Sequence, residues 1–178
     1  MNIHPLFVHF PIALLTVYSA LEIIAYAWPS IRRRSWLFPV NAFLLFVGVL
    51  AAFAALITGN LAQGYVADGP RAFILEVHSP FALATTLVYL LLAAAYLIRL
   101  FEREGWWDHM ASSYALLGWI WRVKKSIAHI VLDTGLLSLL ALLGLIGMSV
   151  TGALGAAMVY GSDVDPFVTF VYRLFWAN

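Results

Sequence analysis

Four long apolar runs dominate this 178-residue chain and leave it few ways to fold. A helix needs about 20 apolar residues to cross the ~30 Å hydrocarbon core of a bilayer. The runs extend roughly over residues 6–28, 36–57, 81–98 and 134–160, and the only charged residue within them is Glu22. The whole chain is 63% apolar and 11% charged, too little charge for the surface of a water-soluble domain. We therefore expect one all-α integral membrane domain, 1–178, with four transmembrane helices.

Basic residues are distributed unevenly around these runs. Two of the ten, Arg71 and Arg173, lie on one side of the membrane. The other eight lie in or beside the two connections on the opposite side: Arg32, Arg33, Arg34, Arg99, Arg103, Arg122, Lys124 and Lys125. Because cytoplasmic loops carry the excess of positive charge, both termini are expected to be periplasmic in a bacterial inner (cytoplasmic) membrane.

Two further segments are expected to lie on the membrane surface. Residues 105–126 mix tryptophan and leucine with charged side chains, which indicates a cytoplasmic interfacial insertion. The pair Asp165-Pro166 is a typical helix start, so a tail helix is predicted over 166–176 at the outer surface.

An internal repeat relates the two halves of the chain. The segment VHFPIAL at 8–14 returns as VHSPFAL at 77–83, with five of seven positions identical. Its His-x-Pro core is informative because the chain has only five histidines and seven prolines. A weaker match relates Thr58-Gly59 to Thr151-Gly152. We therefore predict two parallel helical hairpins, 5–65 and 74–160, related by a pseudo-two-fold axis along the membrane normal.

The repeat predicts a metal centre near the periplasmic face. His9 and His78 should lie at one depth on facing helices, as the two axial ligands of a single haem b. The small residues Thr58, Gly59, Thr151 and Gly152 would leave room for the porphyrin, and Arg71 could contact its propionates. Because the chain has no cysteine, iron–sulfur ligation and covalent c-type haem attachment are excluded.

Other interpretations of the same residues stay open. Small residues at helical spacing are ordinary packing devices in membranes, so the histidines could have structural roles only, or bind another metal or a pigment. His4 is interpreted as a helix-start residue or a propionate neighbour. Glu22 could accept a proton from a quinol, or could make structural hydrogen bonds.

The segment HPLFVHFPIAL at 4–14 resembles the hallmark His-Pro-Leu-x-Val-His-Phe-Pro-Ile-Ala-Leu of the bacterial membrane domain-of-unknown-function family 2231. The segment GAAMVY at 155–160 is also similar, with Ala156 where the family tends to have a second glycine. The resemblance implies a four-helix membrane domain that often accompanies Rieske-type or c-type cytochrome modules. It therefore implies redox work in the cell envelope.

Together these observations favour a cytochrome b-like electron-transfer subunit of a larger redox complex, without enzymatic activity of its own. Its expected partners are the lipid bilayer, periplasmic or membrane redox proteins such as cytochrome c or Rieske-type proteins, and a membrane quinone. The net charge of +1 gives no reason to expect nucleic-acid binding. The alternatives are a cofactor-free accessory subunit and a pigment-binding subunit.

Overall fold

The computed structural model of the protein describes residues 3–66, 68–105, 107–108 and 113–176. These residues form helices and turns, with no β-strand among them. The helices are α1 (His4–Ala27), α2 (Pro29–Arg32), α3 (Leu37–Ala62), α4 (Leu75–Glu104), α5 (Ala115–Asp133), α6 (Leu136–Tyr160) and α7 (Pro166–Trp176). Short 3-10 turns, Gln63–Tyr65 and Ala72–Ile74, follow α3 and precede α4.

Four helical segments are long and apolar enough to cross a membrane: His4–Ala27, Leu37–Tyr65, Ala72–Glu104 and Leu136–Tyr160. The shortest has 24 residues. At about 1.5 Å per residue it is about 36 Å long, which exceeds the thickness of the hydrocarbon core. The predicted all-α bundle of four transmembrane helices is thus confirmed, and the chain is a multi-pass membrane protein surrounded by lipid.

The helices α1 and α4 lie diagonally across the bundle. Each packs against both α3 and α6. Hydrogen bonds join Ser19 to Tyr89 (2.9 Å) and Tyr96 to Glu22 across the diagonal. Because the residue numbers rise together in these two pairs, α1 and α4 run in the same direction. We call the end where both helices begin the N-terminal end of the bundle, and the end where both finish the basic end.

Glycines set the close approach within each helix pair. A Cβ atom on Gly48 of α3 would lie 2.7 Å from Leu15 Cγ of α1. On α6, a Cβ atom on Gly144 would lie 2.7 Å from Tyr89 Cζ of α4. Leu15 and Tyr89 are fully buried. Small residues let helix backbones pack closely in a membrane, where van der Waals packing drives the association of helices.

The connection between α4 and α6 contains α5 and lies at the basic end. Gly105 ends α4 with a positive φ of 74°, a conformation that glycine adopts without strain. Residues 106 and 109–112 of the predicted insertion 105–126 lie outside the described residues. The helix α5 continues past 126 to Asp133, because Ala128, Val131 and Leu132 are buried at helical spacing. Its last residue, Asp133, lies 2.5 Å from Arg99 and 2.8 Å from His129. The extended backbone of Thr134 then separates α5 from α6.

The last helix, α7, packs on the end of α6. Asp165 Oδ1 accepts hydrogen bonds from the backbone N–H groups of Phe167 (2.8 Å) and Val168 (2.9 Å), the geometry of an N-cap. The buried side chains Val168 and Val171 join an apolar cluster with α6 and the 3-10 turn before α4. This contact anchors the amphipathic tail at the N-terminal end of the bundle.

Candidate functional site

His78 lies on the inner face of α4, near the N-terminal end of the bundle. It is partly buried, and its Nδ1 lies 3.1 Å from the backbone oxygen of Thr151 on α6. Since a carbonyl oxygen only accepts hydrogen bonds, Nδ1 carries the proton in this contact. Gly155, one turn further along α6, has no side chain to displace the ring; a Cβ atom there would lie 3.4 Å from His78 Cε1.

His4 makes a similar contact with the other helix pair. Its Nδ1 lies 3.2 Å from Thr58 Oγ1 on α3. The Thr58 hydroxyl itself donates to the backbone oxygen of Ala54 (2.9 Å), so it accepts from His4 Nδ1–H. A Cβ atom on Gly59 would lie 3.1 Å from His4 Cε1. The pair Thr58-Gly59, predicted as part of the cofactor site, thus holds His4.

The imidazoles of His4 and His78 both lie near the N-terminal end of the bundle. They come from the diagonal helices α1 and α4, and His4 lies nearer the end of the bundle. Each ring is fixed through Nδ1–H to an oxygen on the neighbouring helix. For His78 the neutral tautomer then has its lone pair on Nε2, the atom with which histidine commonly binds a metal, whereas the His4 ring also bonds to the backbone oxygen of Ala55.

Helical periodicity explains why His9 is placed differently from its sequence repeat. In the sequence, His9 matches His78 at an offset of 69 residues. The buried residues Pro11, Leu15, Tyr18 and Glu22 of α1, however, follow at spacings of three and four. This spacing continues back to Val8, the residue before His9. One residue of an α-helix turns the side-chain direction by about 100°, so His9 points away from the interior.

His9 is exposed and bonds to its own helix. Its Nδ1 lies 2.6 Å from the backbone oxygen of Pro5, and the described contacts do not join it to His78. The structure therefore does not bring the side chains of His9 and His78 together, and their pairing as haem ligands stays a prediction. The proline at position 11 is buried on the opposite face of α1.

Gly152 is not in contact with either inner histidine. It lines an open groove of about 290 Å³ between α1, α6 and α7, together with Ile12 and Thr16 of α1. Both α1 residues share the helix face of His9, which lies one turn nearer the end of the bundle. A second open groove, of about 480 Å³, lies at the start of α4 and is lined by Gln63, Ala72, Phe73, Leu75, Glu76 and Ser79.

Arg71 ties the start of α4 to the end of α6. Its Nη1 donates to the backbone oxygens of Met158 and Val159, each at 3.2 Å. These carbonyls belong to the last turn of α6, where a positive charge is favourable. Arg71 is therefore at the N-terminal end of the bundle, as predicted from its sequence position, and has a structural task there.

Sequence reasoning did not assign His4 to the interior. The available signal was helical periodicity: the buried residues Pro11, Leu15, Tyr18 and Glu22 follow at spacings of three and four, and the same spacing extends back to His4. The repeat drew attention to His9 instead. In the described part of the chain, no group of three or more His, Cys, Asp or Glu side chains is arranged to hold a metal ion.

The sequence matches the family described as "Predicted membrane protein (DUF2231)" over residues 1–165. No curated protein and no solved structure matches the chain.

Proposed function

The chain belongs to the DUF2231 family of predicted membrane proteins, and we propose that it is an electron-transfer subunit binding one haem b through two histidines. It has no catalytic activity of its own in this proposal. Electrons would pass one at a time between a membrane quinone or a partner's cofactor and a periplasmic carrier such as cytochrome c or a Rieske-type protein.

One observation carries the proposal: two part-buried imidazoles from the diagonal helices lie at the same end of the bundle. His4 and His78 are each held by an oxygen of the neighbouring helix through Nδ1. Proteins commonly orient a metal-binding histidine by a hydrogen bond to the ring nitrogen that does not bind the metal. The geometry therefore favours His4 with His78 as the ligand pair, in place of His9 with His78.

The residues around the two rings fit a bis-imidazole site. Gly59 and Gly155 let the helix backbones come within van der Waals distance of the imidazoles. Bound haem would supply reversible one-electron chemistry, and a four-helix bundle is a common scaffold for it. Arg71 is the basic side chain that we assign to the haem propionates.

The proposed orientation follows from charge. Eight of the ten basic residues lie at or near the connections at the basic end, whereas Arg71 is bound at the N-terminal end. By the positive-inside rule the basic end is cytoplasmic. The protein would then lie in the bacterial cytoplasmic membrane with both termini and the histidine pair on the periplasmic side.

The test is the optical spectrum of the full chain, expressed with haem available and purified in mild detergent. We expect the reduced-minus-oxidised spectrum of a low-spin b-type haem, with one haem per chain by pyridine haemochrome. His4→Ala and His78→Ala should each abolish the low-spin spectrum. His9→Ala and the basic-end variant His129→Ala should retain it.

Each alternative has its own signature. Loss of the spectrum in His9→Ala together with its retention in His4→Ala would replace His4 by His9 as the second ligand. A wild-type protein that is folded, helical and colourless would refute haem binding and leave a cofactor-free accessory subunit. Chlorophyll-like absorption would instead indicate a pigment-binding subunit.

A further inference from the structure

A buried carboxyl group lies in the half of the bundle that the histidines do not occupy. Glu22, on the transmembrane helix α1, is only 2% exposed. Its Oε1 accepts hydrogen bonds from Asn41 Nδ2 of α3 (2.7 Å) and from the Tyr96 hydroxyl of α4. Three helices therefore converge on this one acidic side chain.

The groups facing Glu22 are neutral polar side chains. The group that donates to its backbone oxygen is Ser138 Oγ of α6 (3.4 Å). Tyr18, one turn earlier on α1, packs edge-on against both Tyr89 and Tyr96. The titratable or polar groups of the surrounding elements are thus Tyr18 and Ser19 on α1, Asn41 on α3, Tyr89 and Tyr96 on α4, and Ser138 on α6.

Three arginines of the basic end bind groups other than Glu22. Arg32 donates to a backbone oxygen of α5, and Arg99 to the carboxylate that ends α5. Arg103 lies 3.9 Å above the ring of Phe38. Within the described residues, Glu22 therefore forms no ion pair. An ionised carboxylate without a cation in such surroundings loses several kcal/mol of solvation, by the order of magnitude known for buried ions.

Two unpartnered polar atoms lie in the same cluster. Asn41 Oδ1 and Tyr18 Oη are buried, with both side chains 0% exposed, and neither atom makes a hydrogen bond of ordinary length and angle among the described atoms, although both side chains lie near the Tyr96 hydroxyl. Buried polar groups are rarely left without a partner. Asn41 Oδ1 needs a donor, and its own amide nitrogen already contacts the Glu22 carboxyl group. A proton on Glu22 would remove the uncompensated charge and would add a hydrogen-bond donor to this cluster.

We infer that Glu22, Asn41, Tyr18 and Tyr96 form an intramembrane proton-binding site, in which the buried Glu22 carboxyl group is the atom group that holds the proton. The ligand is the proton itself, and neither of the two grooves described above reaches the cluster. On the side of the basic end, Tyr96 stacks on Phe38 (ring centroids 5.0 Å apart), and Arg103 lies over the other part of this contact, on the Phe38 ring. This inference is independent of haem binding.

The test is infrared spectroscopy of the full-length protein in liposomes, comparing wild type with Glu22→Gln. At neutral pH the difference spectrum should contain the C=O stretch of a protonated carboxylic acid, and the band should shift in D₂O. Raising the pH should convert it into the carboxylate stretches. The matched control is Glu104→Gln, which removes an exposed acid at the basic end and should show only carboxylate bands at neutral pH.

A difference spectrum with carboxylate bands alone at neutral pH would overturn the inference. So would a sodium-dependent difference spectrum, because it would identify a metal cation as the ligand. Glutamine is the neutral mimic of a protonated glutamate, so Glu22→Gln should fold with unchanged thermal stability at neutral pH. Failure of this variant to fold would show that the negative charge itself is required, which also contradicts a bound proton.

Discussion

The close contact between Gly144 and Tyr89 makes a quantitative prediction about bundle stability. In Gly144→Ala, the new Cβ atom would lie 2.7 Å from Tyr89 Cζ and 3.0 Å from both Cε atoms. A change of the Tyr89 side-chain rotamer would be unfavourable, because the side chain is fully buried and hydrogen-bonded to Ser19 (2.9 Å). We therefore expect the ring or the helix α6 to shift.

The expected loss can be estimated from its parts. Overpacking a membrane or protein core costs about 1–3 kcal/mol. Disturbing the Tyr89–Ser19 hydrogen bond adds about 0.5–1.5 kcal/mol, and replacing glycine by alanine within a helix recovers about 0.5–1 kcal/mol. The free energy of unfolding of Gly144→Ala should therefore fall by about 2 kcal/mol.

The same helix supplies the control. A Cβ atom on Gly152 would meet nothing within 4 Å. Gly152→Ala should leave stability unchanged or raise it by up to about 1 kcal/mol, through helix propensity alone. Both variants would be unfolded reversibly with sodium dodecyl sulfate in mixed micelles and followed by circular dichroism. Equal stability of Gly144→Ala and wild type, or equal losses in the two variants, would refute the argument from close packing.

Three other contacts make smaller predictions. Hydrogen bonds to Glu102 and Asp133 raise the pKa of His129 above 6.5, so charged His129 should stabilise α5 fully below pH 6.5 and lose this effect as the pH rises through the folded pKa. Because these groups are exposed, the effect should stay below about 1 kcal/mol; thermal unfolding across pH should show it in wild type and not in His129→Gln. Asp165→Ala should destabilise α7 by about 1 kcal/mol, measured as faster amide hydrogen exchange in its first turn, whereas unchanged exchange would contradict the cap. Arg71→Ala should speed amide hydrogen exchange in the last turn of α6 without changing exchange at the basic end. The same exchange rates in that turn for the variant and the wild type would argue against the Arg71 contact.

The buried polar cluster separates two kinds of information in this chain. A lone acid in an apolar run is visible in the sequence, and its need for a partner follows from the properties of the bilayer. Its partners are not visible. Asn41 and Tyr96 lie 19 and 74 residues away from Glu22, on different helices, and only the helix packing brings them together.

The four spans were determined by the sequence alone. Backbone groups in lipid must be satisfied within the helix itself, so an apolar run of sufficient length has essentially one structure. The same is true of the Asp165 cap, which depends on neighbouring residues only. Such features are local, and local features need no knowledge of the packing.

The identity of the inward-facing histidines was decided by the tertiary structure. The sequence repeat aligns His9 with His78, but the buried face of α1 runs from Glu22 through Leu15 to Pro11, and its spacing continues to Val8, one residue away from His9. One residue of difference turns a helical side chain by about 100°, which is enough to exchange interior for surface. His4 thus lies inside and His9 outside, because packing between helices, and not the repeat, sets their rotation about the helix axis.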